Sequence, residues 1–274
     1  MAEQSGIQVV VRLRPMSQRE LKGNTLPVVT ASTDKKEVTV IKGTGARTLR
    51  NTYGFDNVFT SFSTQKEVFD STLAPVISDV LGGYESTVFA YGQTGTGKTH
   101  TMEGDINSSE NRGVIPRAAF DVFRRLADDS YVESKVTASF LEIYNEELGD
   151  LLCDVDLNDL TALQQKQKQL RLVEDPGTSS TKGRGMYVMN LTETPVECPE
   201  DVLKLMARAS ERRAVGETKM NKHSSRSHCV FTLRVESKKV LSDGNVMETA
   251  GKLHMVDLAG SECAKSAGGA DVDP

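Results

Sequence analysis

The sequence predicts an α/β fold built on a partly parallel sheet, on three observations. Short apolar, β-prone runs alternate along the chain with segments whose apolar residues recur at helical spacing. A glycine-rich turn, Gly92 to Gly97, stands directly between one such run and a probable helix start at Lys98. The 274 residues are 38% hydrophobic and 26% charged, an ordinary globular composition with a sizeable core, for which one large domain is the default.

The elements follow in order. Ile7 to Leu13 is a Val-rich run short enough for a buried first strand, ended by Pro15, which cannot continue a central ladder. Val38 to Ile41 and Thr48 to Tyr53 form a small peripheral hairpin around Gly43 and Gly45. Thr64 and Glu67 make a capping box. From Val68 the apolar positions recur at helical spacing until Gly82 and Gly83 stop the run. Ser86 to Tyr91 is a strand leading into the glycine turn, Asp105 to Arg112 a polar loop, and Val114 to Leu126 a helix with an apolar stripe. Val132 to Tyr144 is a long strand, while Leu170 to Val173 and Met186 to Met189 are short strands parted by a loop. Cys198 to Val215 opens with Pro199, Glu200 and Asp201 and closes on Arg208, Arg212 and Arg213, the charge order that suits a helix. His228 to Leu241 and Val246 to Val256 flank Asp243-Gly244, a hairpin signal.

Composition excludes several classes. Lys plus Arg number 33 against 38 Asp plus Glu, and this net charge of −5 argues against a general binder of nucleic acid or anionic membranes. Cys153, Cys198, Cys229 and Cys263 form no C-x-x-C pair, so neither a disulfide framework nor a zinc site is expected, and a reducing compartment fits. The N-terminus lacks a basic start and an apolar core, so no signal peptide is expected. No run of 18 apolar residues could insert in a membrane. The sequons at Asn107 and Asn190 are therefore expected to go unused.

Three constellations carry chemistry. Gly92-Gln93-Thr94-Gly95-Thr96-Gly97-Lys98-Thr99 matches G-x-x-x-x-G-K-[ST] after a strand and at a helix start, where backbone N–H groups and the helix dipole can cradle phosphate. Lys98 would neutralise phosphate oxygens and Thr99 would offer a hydroxyl to Mg²⁺. Alone, such a loop leaves GTPases, small-molecule kinases, transporters and motors open. Downstream, the apolar run from Lys252 ends in Asp257, a carboxylate at a strand's carboxyl end, with Gly260 soon after. A glycine there can bring its N–H to a γ-phosphate and change conformation when it leaves. The eight consecutive polar residues Asn221 to His228 supply three hydroxyls, an amide and a guanidinium before a strand. They cannot be core.

GQTGTGKT, NKHSSRSH and DLAGSE, in that order, resemble the P-loop, switch I and switch II of the kinesin motor domain. The resemblance extends to Arg12-Leu13-Arg14-Pro15, Phe89-Ala90-Tyr91, Thr101-Met102-Glu103-Gly104 and Phe140 to Glu146, and covers essentially residues 1–274. It implies a P-loop NTPase: a three-layer sandwich with a central mixed, largely parallel β-sheet flanked by helices. It also implies an ATPase that binds ATP or ADP with Mg²⁺ and drives movement on microtubules. Within the family the chain looks most like the mitotic bipolar kinesins, though its loop Asp105 to Arg112 is shorter than theirs. By residue, Gln93, Thr94, Gly95, Thr96, Gly97, Lys98 and Thr99 would hold the phosphates, with Thr99 and Ser225 on Mg²⁺ and Asp257 acting through a metal-bound water. Gly260 would sense the γ-phosphate, and Asn221 and Ser224 would face the phosphates. Arg226 would pair with Glu262, ordering the attacking water and relaying its proton. Arg12, Arg14 and Pro15 would line the adenine pocket, with His100 on the base's other face.

The resemblance further implies that the relay helix, last sheet strand, final helix and neck lie beyond Pro274, so the chain reads as the amino-terminal part of that domain. Lys182 and Arg184 are the tubulin-facing candidates, set against a plain solvated loop. Partners would be microtubules, with neither nucleic acid nor membrane insertion, and any oligomerisation through regions outside this chain. The implied location is the cytoplasm and its microtubules, the spindle for the bipolar type. A non-motile, nucleotide-dependent binding module or short pseudo-motor is the alternative. A GTPase is disfavoured because no N-K-x-D motif is present.

Overall fold

Backbone pairing and helix caps build the chain as a computed structural model that describes residues 6–23, 26–43, 47–156, 159–178, 181–220 and 224–262. Where the sequence suggests one large domain, contacts divide the chain into two units, residues 1–68 and 69–274.

In the first unit, β1 (Val10–Arg12) runs parallel to β5 (Asn57–Phe59), with Val11 opposite Val58. α1 (Gln18–Lys22) starts on a reciprocal Ser17/Glu20 capping box. The Arg14 guanidinium, with Ser17, holds the Glu20 carboxyl down at about 2. β2 (Val29–Ser32), β3 (Glu37–Lys42) and β4 (Leu49–Gly54) form an antiparallel sheet, so the expected hairpin is present with β2 added on its free side. The first strand is shorter and more exposed than its apolar run suggests. Three residues pair, and Ile7 and Val9 are 73% and 52% exposed. Among the described residues β1 pairs with the short strand β5, and a three-residue ladder covers little of the apolar run.

α2 (Gln65–Leu81) begins where Thr64 and Glu67 exchange hydrogen bonds, Thr64 N to Glu67 Oε2 at 2.7 Å and Glu67 N to Thr64 Oγ1 at 3.2 Å. It ends at Gly82 and Gly83, as expected.

The second unit holds β6 (Glu85–Ala90), α3 (Lys98–Met102), α4 (Val114–Leu126), β7 (Tyr131–Tyr144) and β8 (Glu147–Asp150). There follow α5 (Leu160–Gln169), the antiparallel pair β9 (Arg171–Thr178) and β10 (Thr181–Met189), then β11 (Thr194–Val196), α6 (Pro199–Met220), β12 (His228–Val240) and β13 (Val246–Asp257). The main sheet is six-stranded in the order β11-β7-β12-β13-β6, with β8 on β7. It is mixed, as expected, but not largely parallel: β13 with β6 is its parallel ladder, and the rest are antiparallel. The cause is local. Two of its strand pairs, β7 with β8 and β12 with β13, are closed by tight turns, and such hairpins are antiparallel by construction.

Alternation along β12 gives the sheet two faces. Cys229, Phe231, Leu233 and Val235 are buried, and Phe231 stacks edge-on against Phe140 of β7 with centroids 5.2 Å apart. A fully buried side chain of this size contributes about 1.5–3 kcal/mol. α2, α3, α4 and α6 gather over this face: Arg125 of α4 bonds Ser78 and the Ala74 carbonyl of α2, and Arg213 of α6 bonds Glu103 at the end of α3. On the opposite face Val230, Thr232, His254 and Val256 are half-buried, and Phe89 on β6 is 61% exposed. Towards the β12–β13 turn that face carries its own charge ladder, Lys238 with Glu133 and Glu248, and Lys252 with Glu85.

Helix and sheet approach closely at Gly251 of β13, where a Cβ would overlap the Val80 carbonyl of α2. Gly251→Val is therefore expected to destabilise by about 3 kcal/mol, the overpacking range. That lowers the melting temperature by about 6–12 °C for a unit of this size. Thermal denaturation of the variant unchanged from the parent would contradict this packing.

Candidate nucleotide-binding site

The parallel strand β6 and the short helix α3 set the glycine loop between them. Gly95 and Gly97 take left-handed φ values of 78° and 94°, which a side chain would strain, and Gly97 is the residue before the first turn of α3. The loop is tied to itself: Thr96 Oγ1 donates to the Gln93 carbonyl at 2.8 Å, and Lys98 Nζ donates to the Gly92 and Gln93 carbonyls at 3.0 and 3.2 Å. Lys98 thus sits folded over the loop whose phosphate charge it is expected to meet. His100 follows on α3 and is exposed.

β13 places Asp257 beside this loop. Its Oδ2 accepts from Thr99 Oγ1 at 2.5 Å. Asp257 Oδ1 and Ser227 Oγ are buried with no hydrogen-bond partner among the described residues. One carboxylate with neighbouring hydroxyls and an orphaned carboxylate oxygen suits a small hard cation that keeps water and phosphate oxygens as its remaining ligands. Thr99 and Asp257 therefore fit Mg²⁺, while Ser225 joins this segment through its backbone carbonyl.

The two polar blocks meet through the backbone. Gly260 N–H donates to the Ser225 carbonyl at 2.7 Å, Ala259 N–H to His228 Nδ1 at 3.1 Å, and Ser261 N–H to the Gly92 carbonyl at 3.1 Å. Ser224 opens a short 3-10 turn, Ser224–Arg226, ahead of β12. Asn221 lies outside the described residues. Arg226 is exposed, and among the described residues no ion pair or hydrogen bond joins it to Glu262. Instead the Glu262 carboxylate accepts from Thr94, by the backbone N–H at 2.9 Å and by a short bond from the hydroxyl. These bonds, helped by Lys98, hold the Glu262 carboxyl below its usual range. The carboxylate is therefore bound to one of the N–H groups that the sequence assigns to phosphate.

Arg12, Arg14 and Pro15 belong to the first unit. Arg12 Nη1 bonds Gln65 Oε1 at 2.7 Å, and burial lowers its pKa. Arg14 pairs with Glu20 through both terminal nitrogens, at 2.9 and 2.7 Å. Lys182 and Arg184 stand on β10, at the irregular end of its ladder with β9, rather than on a loop. Sequence reasoning missed His228 as an acceptor, although it ends the polar block, and Glu103, which nothing local distinguishes.

The loop Asp105 to Arg112 is closed at its root. Gly113 N–H bonds the Glu103 carbonyl at 2.8 Å, Arg112 stacks over Phe120 at 4.6 Å, and Arg117 bonds the Ser109 and Glu110 carbonyls. No helix among the described residues is long and apolar enough to cross a membrane.

A family profile described as the kinesin motor domain matches residues 12–273. The chain is 38% identical over 274 residues to a kinesin-like protein KIN-5C of Arabidopsis thaliana, covering 97% of this chain and 26% of that protein. It is 41% identical over 266 residues to kinesin-like protein bimC of Emericella nidulans, covering 95% and 21%. With kinesin-like protein KIF11 of Mus musculus the identity is 38%, covering 97% and 25%. The chain thus spans about a quarter of the length of these curated relatives. A solved structure of a fast kinesin superposes with a TM-score of 0.79 at 35% identity, covering 96% of this chain and 68% of that one.

Proposed function

The chain belongs to the kinesin motor domain family, and from that premise we propose that it is the amino-terminal part of a motor that hydrolyses Mg-ATP and couples the cycle to movement on microtubules. The observation that carries the reading is the junction of three segments at one point. Asp257 bonds Thr99 of the glycine loop, while Gly260 bonds Ser225 of the polar block before β12. A phosphate in the loop would therefore lie beside the Asp257 segment, which is itself bonded to the polar block, so its loss could be passed to both.

This chain's residues divide the work. Lys98 and the N–H groups from Gln93 to Thr99 bind and orient the phosphates. Thr99, Ser225 and Asp257 would hold Mg²⁺, which when bound neutralises charge on the β- and γ-oxygens. Gly260, free of a side chain, presents its N–H beside Ser225. Asn221 and Ser224 are assigned to the phosphates, and Arg226 with Glu262 to holding the attacking water and its proton. Arg12, Arg14, Pro15 and His100 are assigned to the adenine. Phosphoryl transfer needs positioning and charge stabilisation more than a nucleophile, so the buried thiol of Cys229, pushed up to about 12 by burial, has no part in it.

The fast kinesin's description concerns its ATPase mechanism and its interactions with microtubules, which supports microtubules as the partner here. Lys182 and Arg184 are the proposed tubulin contacts. Cytoplasmic microtubules, the spindle included, are the proposed location, with oligomerisation through regions outside this chain. The test is the ATPase rate of the full-length protein with and without microtubules, with GTP as competitor. Stimulation by microtubules with preference for ATP is expected. Hydrolysis indifferent to microtubules would leave a nucleotide-dependent binding module, and preference for GTP would overturn the nucleotide.

A further inference from the structure

One buried ion pair lies beneath the phosphate site and is unused by the chemistry above. Arg213 Nη1 donates to Glu103 Oε1 at 2.9 Å, with the two side chains 11% and 15% exposed. Burial raises the Glu103 pKa, against the pull of Arg213. For Arg213 burial opposes the charge, but the field of Cys229, Glu103, Glu142 and Asp257 outweighs it and its pKa is raised. Because the Cys229 thiol is uncharged at neutral pH, the three carboxylates supply that field.

The pair's position in the chain gives it a meaning beyond packing. Glu103 directly follows α3, and its N–H bonds the Thr99 carbonyl at 2.8 Å, so it is tied to the turn that carries Lys98 and Thr99. Arg213 lies on α6, two turns before that helix ends at Met220, immediately ahead of the block Asn221 to His228. The other arginines of α6 grip elsewhere: Arg208 and Arg212 both bond the Cys153 carbonyl. Taking two charges out of water is costly, and an apolar pair of similar volume would hold two helices about as firmly. What the ion pair adds is direction, since a guanidinium bonded to one carboxylate tolerates little slip.

We propose that Glu103 and Arg213 are a positioning pair that sets α6, and with it the block Asn221 to His228, against the helix of the phosphate loop. The proposal rests on the nucleotide-binding reading of that loop.

Three forms of the full-length protein test it: the parent, Glu103→Gln, and the apolar double variant Glu103→Leu with Arg213→Met. Each is measured for melting temperature, affinity for a fluorescent ADP analogue, single-turnover ATP hydrolysis, and tryptic cleavage after Lys219, Lys222 and Arg226 with and without a non-hydrolysable Mg-ATP analogue. The double variant is expected to melt with the parent and bind nucleotide comparably, yet hydrolyse about tenfold or more slowly, the scale of a small misplacement of reacting groups. Nucleotide should protect the tryptic sites in the parent and fail to do so in the double variant and in Glu103→Gln. Hydrolysis and protection at parental levels in the double variant, or its failure to fold, would assign the pair to stability alone. A parent that binds no nucleotide would overturn the phosphate-loop reading itself, and the proposal with it.

Discussion

Lys98→Ala is expected to abolish tight nucleotide binding. Lys98 is the side-chain cation of the glycine loop, and its ammonium lies 3.0 and 3.2 Å from the Gly92 and Gln93 carbonyls, directly over the cradle. In the variant the backbone N–H groups remain, but the phosphate charge loses its fixed counter-charge. Two charge-assisted hydrogen bonds at about 1.5–3 kcal/mol each amount to a rise in Kd of roughly 10²- to 10⁴-fold. Titration with a fluorescent nucleotide reads this directly, with melting temperature as the control for folding. Retained micromolar affinity in a folded variant would sink the assignment of the loop.

Glu262→Ala and Arg226→Ala are expected to slow hydrolysis strongly while leaving nucleotide affinity largely intact. Here Glu262 is bonded to Thr94 and Arg226 is exposed, although the segments carrying them already touch through Gly260 and Ser225. For the two side chains to meet, Glu262 must exchange its Thr94 bonds for the guanidinium. Their pairing then acts on closure and on the transition state rather than on ground-state phosphate contacts. The expected loss is roughly 10²-fold in rate, the scale of a small misplacement of the reacting groups. A double-mutant cycle on the hydrolysis rate isolates the coupling. Additive effects would refute the pairing.

What could be read in the sequence was local. The glycine loop, the capping box at Thr64 and Glu67, the Asp243-Gly244 hairpin and the acidic strand end at Asp257 each carry their signal within a few residues, and each is where it was expected. The misses have physical reasons. The β7–β8 turn uses Asn145 and Glu146, both at positive φ, in place of the glycine that usually marks such a turn. β9 and β10 contain Pro176 and several glycines, and so read as a loop between two shorter strands. α1 has its Ser17/Glu20 box but only five residues, too few to show helical periodicity. The contacts that organise the site join residues 168 apart for Thr94 and Glu262, and 110 apart for Glu103 and Arg213. No periodicity records a distance of that kind.

The ladder between β12 and β13 runs through twelve residue pairs without a shift, from Cys229 opposite Asp257 to Val240 opposite Val246. One of these strands begins where the polar block ends, and the other ends where the Asp257 segment begins. Both segments are therefore rooted at adjacent rungs of one ladder, and their roots have no freedom to separate. Sliding by one residue would turn Phe231, Leu233 and Val235 out of the core, so the strands cannot serve as a slider. The degrees of freedom left to a phosphate signal are torsions in the few residues after Asp257 and before His228. On the proposed function, a phosphate signal would thus act on two short stretches that share one fixed pivot, with its reach set by their length rather than by deformation of the sheet.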